Sequence, residues 1–278
     1  MTSFSNTSIQ TCYFSRSNEA SHEAVMLVEE VPLAISINDI THAVMMVTPT
    51  SLDAFAFGFA LSEGVIEGAN DVRDITIEET NTNHADISGF NINMVISQRR
   101  FTNFKKSRLA RLGASGCGLC GVESLELALP SLKPLSPSQI LPESILRTLK
   151  DTFFDYQTIG KVSGAIHAAL LISPQGEAII AMEDIGRHNA LDKVLGYALQ
   201  HNIDLHNHSV VMSSRCSTEL IQKAVRSGLS CLIHLASPST LAVKLARQYG
   251  LILIHLPKKD APRVFAPSFN NSKVANHV

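Results

Sequence analysis

The stretch that decides the fold runs from Ser209 to Leu256 and reads SVVMSSRCSTELIQKAVRSGLSCLIHLASPSTLAVKLARQYGLILIHL. Three short apolar runs, SVVMSS, LSCLIHLA and LILIHL, have the length and composition of strands. Between them lie two helical patterns, which end at Gly228 and Gly250. Strands joined by helices of this length are parallel and connected by right-handed crossovers. The stretch therefore predicts an α/β layer.

Upstream of this stretch the chain predicts further strands and helices. VPLAISIN and HAVMMVTP, on either side of Asn38-Asp39, predict a hairpin. LDAFAFGFALSEGVI predicts a helix that ends at Gly64, and DISGFNINMVISQ predicts one or two strands. GAIHAALLISPQGEAIIAMEDI predicts a helix followed by a strand, or a strand hairpin. The remaining helical patterns are VESLELALPSL, SILRTLKDTF and GRHNALDKVLGYALQ.

Bulk properties predict a soluble cytoplasmic protein. The chain has 278 residues, of which 45% are hydrophobic, and its formal net charge of -2 favours neither nucleic acid nor an anionic membrane as partner. The polar start contains no apolar segment typical of a secretory signal, and no run of about 18 apolar residues predicts a membrane-spanning helix. Five unevenly spaced cysteines are not typical of a secreted disulfide framework, so we expect reduced thiols.

Two of those cysteines form a close pair, Cys117 and Cys120, in the glycine-rich segment GASGCGLCG. The glycines allow a partner or ligand to approach the loop closely. A helix that begins near Val122 would direct its unpaired N–H groups at the loop and favour the thiolates. The preceding run of basic residues, from Arg99 to Arg111, either lowers the thiol pKa further or forms a solvated face.

Several kinds of chemistry use such a pair. A four-cysteine zinc site needs a second close pair, which the other three cysteines do not form. A zinc deaminase presents H-x-E before P-C-x-x-C, whereas here Ala169 occupies the Glu position after His167 and no Pro precedes Cys117. Thiol–disulfide exchange and persulfide handling both remain open, because the spacing does not separate them.

Two further segments suit an anionic ligand. Arg187 and His188 lie at a predicted helix start, where they would bind phosphate or carboxylate. The simpler interpretation is that Asp184 caps this helix and that the surrounding charges are exposed. Arg215 lies at a strand-to-helix junction, which is where α/β folds bind ligands. No GxGxxG or Walker motif is present, so the sequence does not support an ordinary dinucleotide or P-loop site.

Together these segments resemble the FdhD family, the sulfur-carrier accessory proteins of formate dehydrogenase. The resemblance covers most of the chain and rests on motifs in the family's order: EEVPLAISIN, VMMVTPTSLDAFAFGFALSEGVI, SGCGLCGVESL, GAIHAALL, EDIGRHNALDKVLG, SSRCSTELIQKA and STLAVKLA.

The resemblance implies a fold, partners and a location. It implies a cytidine-deaminase-like α/β domain at residues 136–270, after a smaller N-terminal α+β domain at 25–135 that ends in the CxxC loop. A disordered extension at 1–24 and a tail at 271–278 complete the expected organisation. The family forms homodimers, takes sulfur from a cysteine desulfurase and serves the formate dehydrogenase apoprotein. We expect no tightly bound metal.

The resemblance also implies roles for individual residues. Cys117 matches the family's persulfide cysteine and Cys120 matches its partner. The sulfur passes to the molybdenum cofactor in its bis-guanine-dinucleotide form. The family's cofactor-binding segment corresponds to Leu256, Pro257, Lys258, Lys259, Asp260 and Ala261. This sequence keeps the aspartate but lacks the family's glycine and arginine. His167 to Ala169 would be the remnant of a zinc-site helix.

Three functions follow as hypotheses. The first is a persulfide carrier that acts through Cys117. The second is a chaperone that shelters the molybdenum cofactor without essential thiol chemistry, with Arg187, His188 and Arg215 as further contacts. The third is a CxxC thiol–disulfide oxidoreductase.

Overall fold

The computed structural model describes residues 8–15, 22–84, 87–112 and 129–265. The protein is a mixed α/β structure that divides into two compact units, interleaved along the chain. The first unit comprises Met1–Leu132, Gln157–Ala168 and Met182–Ile203, and the second comprises Lys133–Tyr156, Ala169–Ala181 and Asp204–Val278. The contiguous domain boundaries expected from the sequence stay a prediction.

Near the N-terminus, strands β1 (Ile9–Ser15) and β2 (His22–Val28) form a two-stranded antiparallel sheet. This differs from the disordered extension that we expected at residues 1–24. The polar composition suggested disorder, but the run AVMLV in β2 has strong β propensity, and backbone pairing with β1 satisfies its N–H and C=O groups.

A four-stranded sheet forms the core of the first unit, in the order β4-β3-β6-β5. Its strands are β3 (Val31–Ile37), β4 (Ile40–Val47), β5 (Val72–Asn81) and β6 (Ser88–Ile96). The predicted β3–β4 hairpin is confirmed, with Asn38 and Asp39 at φ 46° and 63°. Such angles are typical of the tight turns that join hairpin strands. Strand β5 was not predicted, because its charged residues obscure the short apolar alternation.

The helices of the described ranges are α1 (Leu52–Ser62), α2 (Gln98–Leu112), α3 (Glu143–Tyr156), α4 (Ile159–Ser163), α5 (Arg187–Gln200), α6 (Thr218–Arg226) and α7 (Thr240–Tyr249). Helices α1, α3, α5, α6 and α7 confirm sequence predictions, whereas VESLELALPSL lies largely outside the described residues. None of the helices in these ranges has the length and apolar composition needed to cross a membrane.

The second sheet has six strands in the order β12-β11-β10-β9-β7-β8. They are β7 (His167–Ile172), β8 (Ala178–Asp184), β9 (Ser209–Met212), β10 (Cys231–His234), β11 (Ile252–His255) and β12 (Arg263–Val264). Strands β9, β10 and β11 are parallel, as the opening stretch predicted. Gly228 and Gly250 follow the two crossover helices at φ 77° and 73°, a conformation that glycine adopts without strain.

Helices α1 and α5 of the first unit pack backbone to backbone. A Cβ atom added to Gly58 would lie 1.7 Å from the carbonyl oxygen of Asp192, and one added to Gly196 would lie 1.7 Å from that of Ala54. The hydroxyl of Ser62 on α1 donates to the buried carboxylate of Asp192 at 2.7 Å. These two glycines therefore allow α1 to pack closely against α5. The first turn of α5 carries Arg187 and His188, which the sequence predicted as ligand contacts.

Candidate functional site

The predicted thiol pair, Cys117 and Cys120, lies outside the described residues. Part of the basic run that precedes it is described, and two of its members are engaged elsewhere in the first unit. Arg100 is buried, and it forms ion pairs with Asp71, at 2.9 Å, and with Glu67. Arg108 donates to the carbonyl oxygen of Thr41 at 2.6 Å. These two guanidinium groups therefore stabilise the first unit.

The other described cysteines differ in exposure. Cys216 and Cys231 are buried in the second unit, and burial raises the pKa of each thiol to about 12. Both therefore stay protonated near neutral pH and are poor nucleophiles. Cys12, in β1, is half-buried. The sequence analysis had no role for Cys216, and its burial now identifies it as an apolar packing residue.

The predicted cofactor segment lines a cavity in the second unit. Its residues 256–260, together with Pro262, form one wall, and α3 forms the other. The cavity has a volume of about 320 Å³, near the low end of the range of about 300–1,000 Å³ that is typical of ligand sites. Leu256 is anchored to the sheet because its N–H donates to the carbonyl oxygen of His234 at 2.9 Å. Ala261 is not among the lining residues.

Helix α3 contributes four side chains to this cavity that the sequence reasoning missed: Leu146, Arg147, Lys150 and Asp151. The helical pattern of SILRTLKDTF was recognised, and its spacing places these four residues on neighbouring turns. That spacing was the available signal, but it does not reveal which part of the chain lies opposite. Only the packing of α3 beside residues 256–262 identifies these side chains as part of a site.

The cavity is predominantly basic. Among its lining residues, Arg147, Lys150, Lys258 and Lys259 carry positive charge, whereas Asp151 and Asp260 carry negative charge. Nη2 of Arg147 lies 2.5 Å from Oε1 of Glu143 on the same helix. Asp260 lies 2.6 Å from Nη2 of Arg263. Lysine ammonium groups without such partners are suited to phosphate.

The segment EDIGRHN belongs to the first unit, and its helix cap and the burial of its charges differ from those that the sequence suggested. Gly186 is the N-cap of α5, with no side-chain cap, and Asp184 instead accepts from the N–H of Gly186 at 2.8 Å. The expectation of exposed charges is wrong for Glu183, Asp184, Asp192 and the neighbouring Lys193, which are all buried. The side chains of Arg187 and His188 are half-buried at the start of α5. Nε of Arg187 is buried without a hydrogen-bond partner in the described part of the chain.

The buried carboxylate of Asp184 pairs with the buried ammonium of Lys193 at 2.7 Å. Lys193 also contacts Thr48, Thr50 and the carbonyl oxygen of Glu183 at 3.0–3.1 Å. Burial lowers the pKa of Lys193, and the Asp184 carboxylate opposes this shift. All hydrogens of the ammonium group have acceptors, so the pair is a structural link rather than a ligand site.

Glu183 also has a structural role. Its carboxylate accepts from the backbone N–H groups of Thr158, Ile159 and Gly160 at 2.8–2.9 Å. These are the unpaired N–H groups at the start of the short helix α4. A carboxylate in this position stabilises the helix start through hydrogen bonds and the helix dipole.

His167 is the first residue of strand β7. The expectation that His167 to Ala169 lie on a remnant zinc-site helix is therefore wrong. The run HAALLI contains no helix start signal, and in this run the pairing of β7 with β9 outweighs the helix propensity of alanine and leucine. Burial and the Arg187 guanidinium lower the pKa of His167, whereas Asp184 raises it.

The sequence reasoning also missed two histidines, His234 and His255, which lie at the carboxyl ends of the neighbouring parallel strands β10 and β11. Met212, His234 and His255 are register partners on the neighbouring strands β9, β10 and β11, and Arg263 of β12 is the partner of His255. His234 is fully buried, and its Nδ1 lies 2.9 Å from the carbonyl oxygen of Ser214. Arg215 is exposed in the loop that follows β9 and does not line the cavity.

Comparison with known proteins agrees with this architecture. The family model described as FdhD/NarQ matches residues 28–270. A sulfur carrier protein FdhD from Bordetella bronchiseptica is 38% identical over 249 residues, which cover 89% of this chain and 88% of that protein. The protein of the same name from Burkholderia mallei is 38% identical over 247 residues, covering 86% and 88%.

A solved structure, described as a formate dehydrogenase accessory protein from Desulfotalea psychrophila, matches the fold with a TM-score of 0.66 at 23% identity. The match covers 93% of this chain and 96% of that one. Since both the family model and the curated relatives extend over most of the sequence, the chain belongs to the FdhD/NarQ family.

Proposed function

We propose that this protein is a sulfur carrier that accepts a persulfide sulfur on Cys117 and transfers it to the molybdenum cofactor in its bis-guanine-dinucleotide form. The proposal is supported by family membership together with the intact segment SGCGLCG, which retains both Cys117 and Cys120. The cysteine desulfurase is the donor, and formate dehydrogenase is the enzyme whose activity depends on the transfer.

The first step is a thiol exchange that needs no external oxidant. The Cys117 thiolate attacks the outer sulfur of the persulfide on the desulfurase, and a new sulfur–sulfur bond forms as the old one breaks. The desulfurase leaves as a thiolate, and Cys117 carries the persulfide. The raised pKa values of Cys216 and Cys231 make these thiols poor competitors for this sulfur.

The second step delivers the sulfur at the oxidation level of sulfide, which takes two electrons. A second thiol beside the persulfide supplies them by attacking the Cys117 sulfur. In this chain Cys120 would do so: a Cys117–Cys120 disulfide forms as the bond between Cys117 and the outer sulfur breaks, and that sulfur leaves as hydrosulfide and binds the cofactor. A cellular dithiol then reduces that disulfide and restores the carrier.

The cofactor is the substrate of this transfer, and we propose that it binds at Leu256 to Ala261. The cavity supports this assignment because Lys258 and Lys259 provide positive charge where the family's glycine and arginine are absent. Arg187, His188 and Arg215 are proposed as further cofactor contacts. We also propose a cytoplasmic homodimer and a cytidine-deaminase-like topology for the second domain.

The persulfide is tested by incubating the protein with a cysteine desulfurase and cysteine, followed by peptide mass spectrometry. A mass gain of one sulfur on the Cys117 peptide is expected, and Cys117→Ala should abolish it together with activation of formate dehydrogenase. Cys12→Ala is the matched control, because Cys12 lies outside the motif and is half-buried. Full activation by Cys117→Ala would rule out the carrier mechanism.

The cavity itself favours one alternative, a cofactor-binding chaperone without essential thiol chemistry. In that case the double variant of Cys117 and Cys120 would still bind the cofactor and activate formate dehydrogenase. A CxxC oxidoreductase would instead turn over a disulfide substrate such as insulin. The same double variant separates these functions, since only the chaperone survives it.

A further inference from the structure

Helix α2 carries positive charge that the first unit uses only in part. Its sequence, QRRFTNFKKSRLARL, contains six cationic residues and no acidic one. Arg100 is buried and neutralised by two carboxylates. Lys105 and Lys106 are exposed, and within the described ranges they form neither an ion pair nor a hydrogen bond. The Lys105 ammonium lies 4.7 Å from the ring centroid of Phe101 on the same helix, a contact that leaves its charge uncompensated.

The strand against which this part of α2 packs supplies no opposite charge. The ring of Phe104 meets that of His42 in β4 edge-on, with 5.1 Å between the centroids. Arg108 donates to the carbonyl oxygen of Thr41 in the same strand, which satisfies a hydrogen bond but leaves the charge in place. Strand β4, ITHAVMMV, contains no aspartate or glutamate. We call the three cations of this region the basic segment of α2: Lys105, Lys106 and Arg108.

The basic segment does not serve the helix itself. Lys105 and Arg108 are three positions apart, so they are neighbours on the helix surface and repel each other. The helix dipole attracts cations only within the last turn, which in α2 begins at Leu109. Solvated helices more often alternate charges of both signs along a face. The segment is therefore suited to a negatively charged partner.

The basic segment is also close to Cys117 along the chain. Cys117 is the fifth residue after Leu112, the last residue of α2, so their Cα atoms are at most about 18 Å apart. In the proposed function a donor protein brings its persulfide into contact with Cys117. An interface of standard size covers about 800 Å² on each partner and extends about 16 Å from its centre. The end of α2 therefore lies inside that interface or next to its edge.

We propose that the basic segment of α2 is a docking surface for the protein that donates the sulfur, and that it binds carboxylates around the donor's persulfide cysteine. The inference rests on the proposed function, which requires such a donor. The later transfer needs no second protein at Cys117, because there the cofactor binds to this chain itself. Charges at the rim of an interface act mainly on the association rate, so Lys105 and Lys106 speed the encounter without touching the reacting sulfurs.

The test measures how fast the full chain gains one sulfur on the Cys117 peptide, with a cysteine desulfurase and excess cysteine. The initial rate is followed by mass spectrometry over a range of chain concentrations, which separates the rate constant at low concentration from the maximal rate. The variant is Lys105→Glu with Lys106→Glu. The matched control is Lys133→Glu with Lys244→Glu, which changes the net charge equally at two exposed lysines of the second unit.

At about 50 mM salt, we expect the variant to lower the low-concentration rate constant about 10-fold, within the range of electrostatic steering. At about 500 mM salt the Debye length falls below about 5 Å, so the variant and the wild type should converge. The maximal rate should stay unchanged, because the lysines do not touch the reacting sulfurs. The control should match the wild type at both salt concentrations.

An unchanged rate constant in the variant at low salt overturns the inference and leaves the sulfur-carrier proposal standing. A lower maximal rate also overturns it, as does a shift of the iodoacetamide labelling of Cys117 to higher pH, because the lysines then act on the thiol and not on docking. Normal sulfur acceptance with loss of formate dehydrogenase activation overturns it in favour of a later partner. Absence of sulfur on Cys117 of the wild-type chain overturns the proposed function, and the inference with it.

Discussion

His234 should make the second unit sensitive to acid. The side chain has no exposed surface, and Nδ1 donates to the carbonyl oxygen of Ser214 at 2.9 Å. Nε2 therefore carries the lone pair, and it is buried without a hydrogen-bond partner in the described part of the chain. The pKa of His234 is lowered from 6.5 to about 4, mainly by burial; the Ser214 contact opposes this shift, and the neighbouring His255 adds to it.

The sign and the size of the effect follow from proton linkage. Between about pH 6.5 and about pH 4 the unfolded chain holds a proton on His234 that the folded chain does not. The free energy of unfolding therefore falls as the pH decreases through this window, and the contribution is fully present above it. A pKa difference of about 2.5 corresponds to about 3 kcal/mol, a large part of the stability of a typical domain.

The measurement is urea denaturation at several pH values between about 7 and 4. Far-UV circular dichroism is the appropriate signal because the chain contains no tryptophan. The variant His234→Asn keeps an N–H donor for the Ser214 carbonyl oxygen but does not titrate. Other acid-sensitive groups affect both proteins equally, so the wild type should lose about 3 kcal/mol more than the variant. If the two stabilities decrease in parallel, His234 is not the group responsible.

Three further predictions concern packing, buried charge and thiol reactivity. Gly58→Ala should lower the free energy of unfolding, measured by urea denaturation, by about 3 kcal/mol or more, because the added Cβ would meet the Asp192 backbone. Gly68→Ala is the control: a Cβ there has nothing within 4 Å, so the free energy of unfolding should change by less than about 0.5 kcal/mol. Lys193→Met should cost about 3–5 kcal/mol by leaving a buried carboxylate unpaired, and an unchanged urea midpoint would contradict this. Iodoacetamide at about pH 8 should label Cys216 and Cys231 only after denaturation, because a pKa of about 12 leaves only about one in ten thousand of these thiols ionised in the folded protein. Labelling of either cysteine in the native protein would contradict their burial.

Much of the secondary structure was predictable because its signals are local. The hairpin at Asn38-Asp39 and the helices that end before Gly228 and Gly250 depend on residues within one or two turns. The errors in the predicted secondary structure have a common cause, which is that a local pattern does not show which segments will pair as strands. His167 to Ala169 favour a helix locally, but pairing with β9 places the run HAALLI in a sheet. In β1 and β2, a polar composition concealed a strand pair.

The candidate site was predictable only in part. The motifs identified the family, and the segment at Leu256 to Asp260 does line a cavity. The opposite wall was not predicted, because Lys150 and Asp151 resemble any exposed charges on an amphipathic helix. In the same way, Asp184 was interpreted as a helix cap surrounded by exposed charges, whereas burial beside Lys193 makes it part of an ion pair.

By itself the sequence determined the order of the strands and helices from Ser209 to Leu256, the spacing of Cys117 and Cys120, and the family. These properties depend on hydrophobic periodicity and on motifs, which are read along the chain. Only the tertiary structure decided which charges are buried and which line the cavity. Thr48 and Asp184 are 136 positions apart, yet they share a hydrogen bond of 3.1 Å. The environment of a charge is set by residues that folding brings close, so no local pattern reveals it.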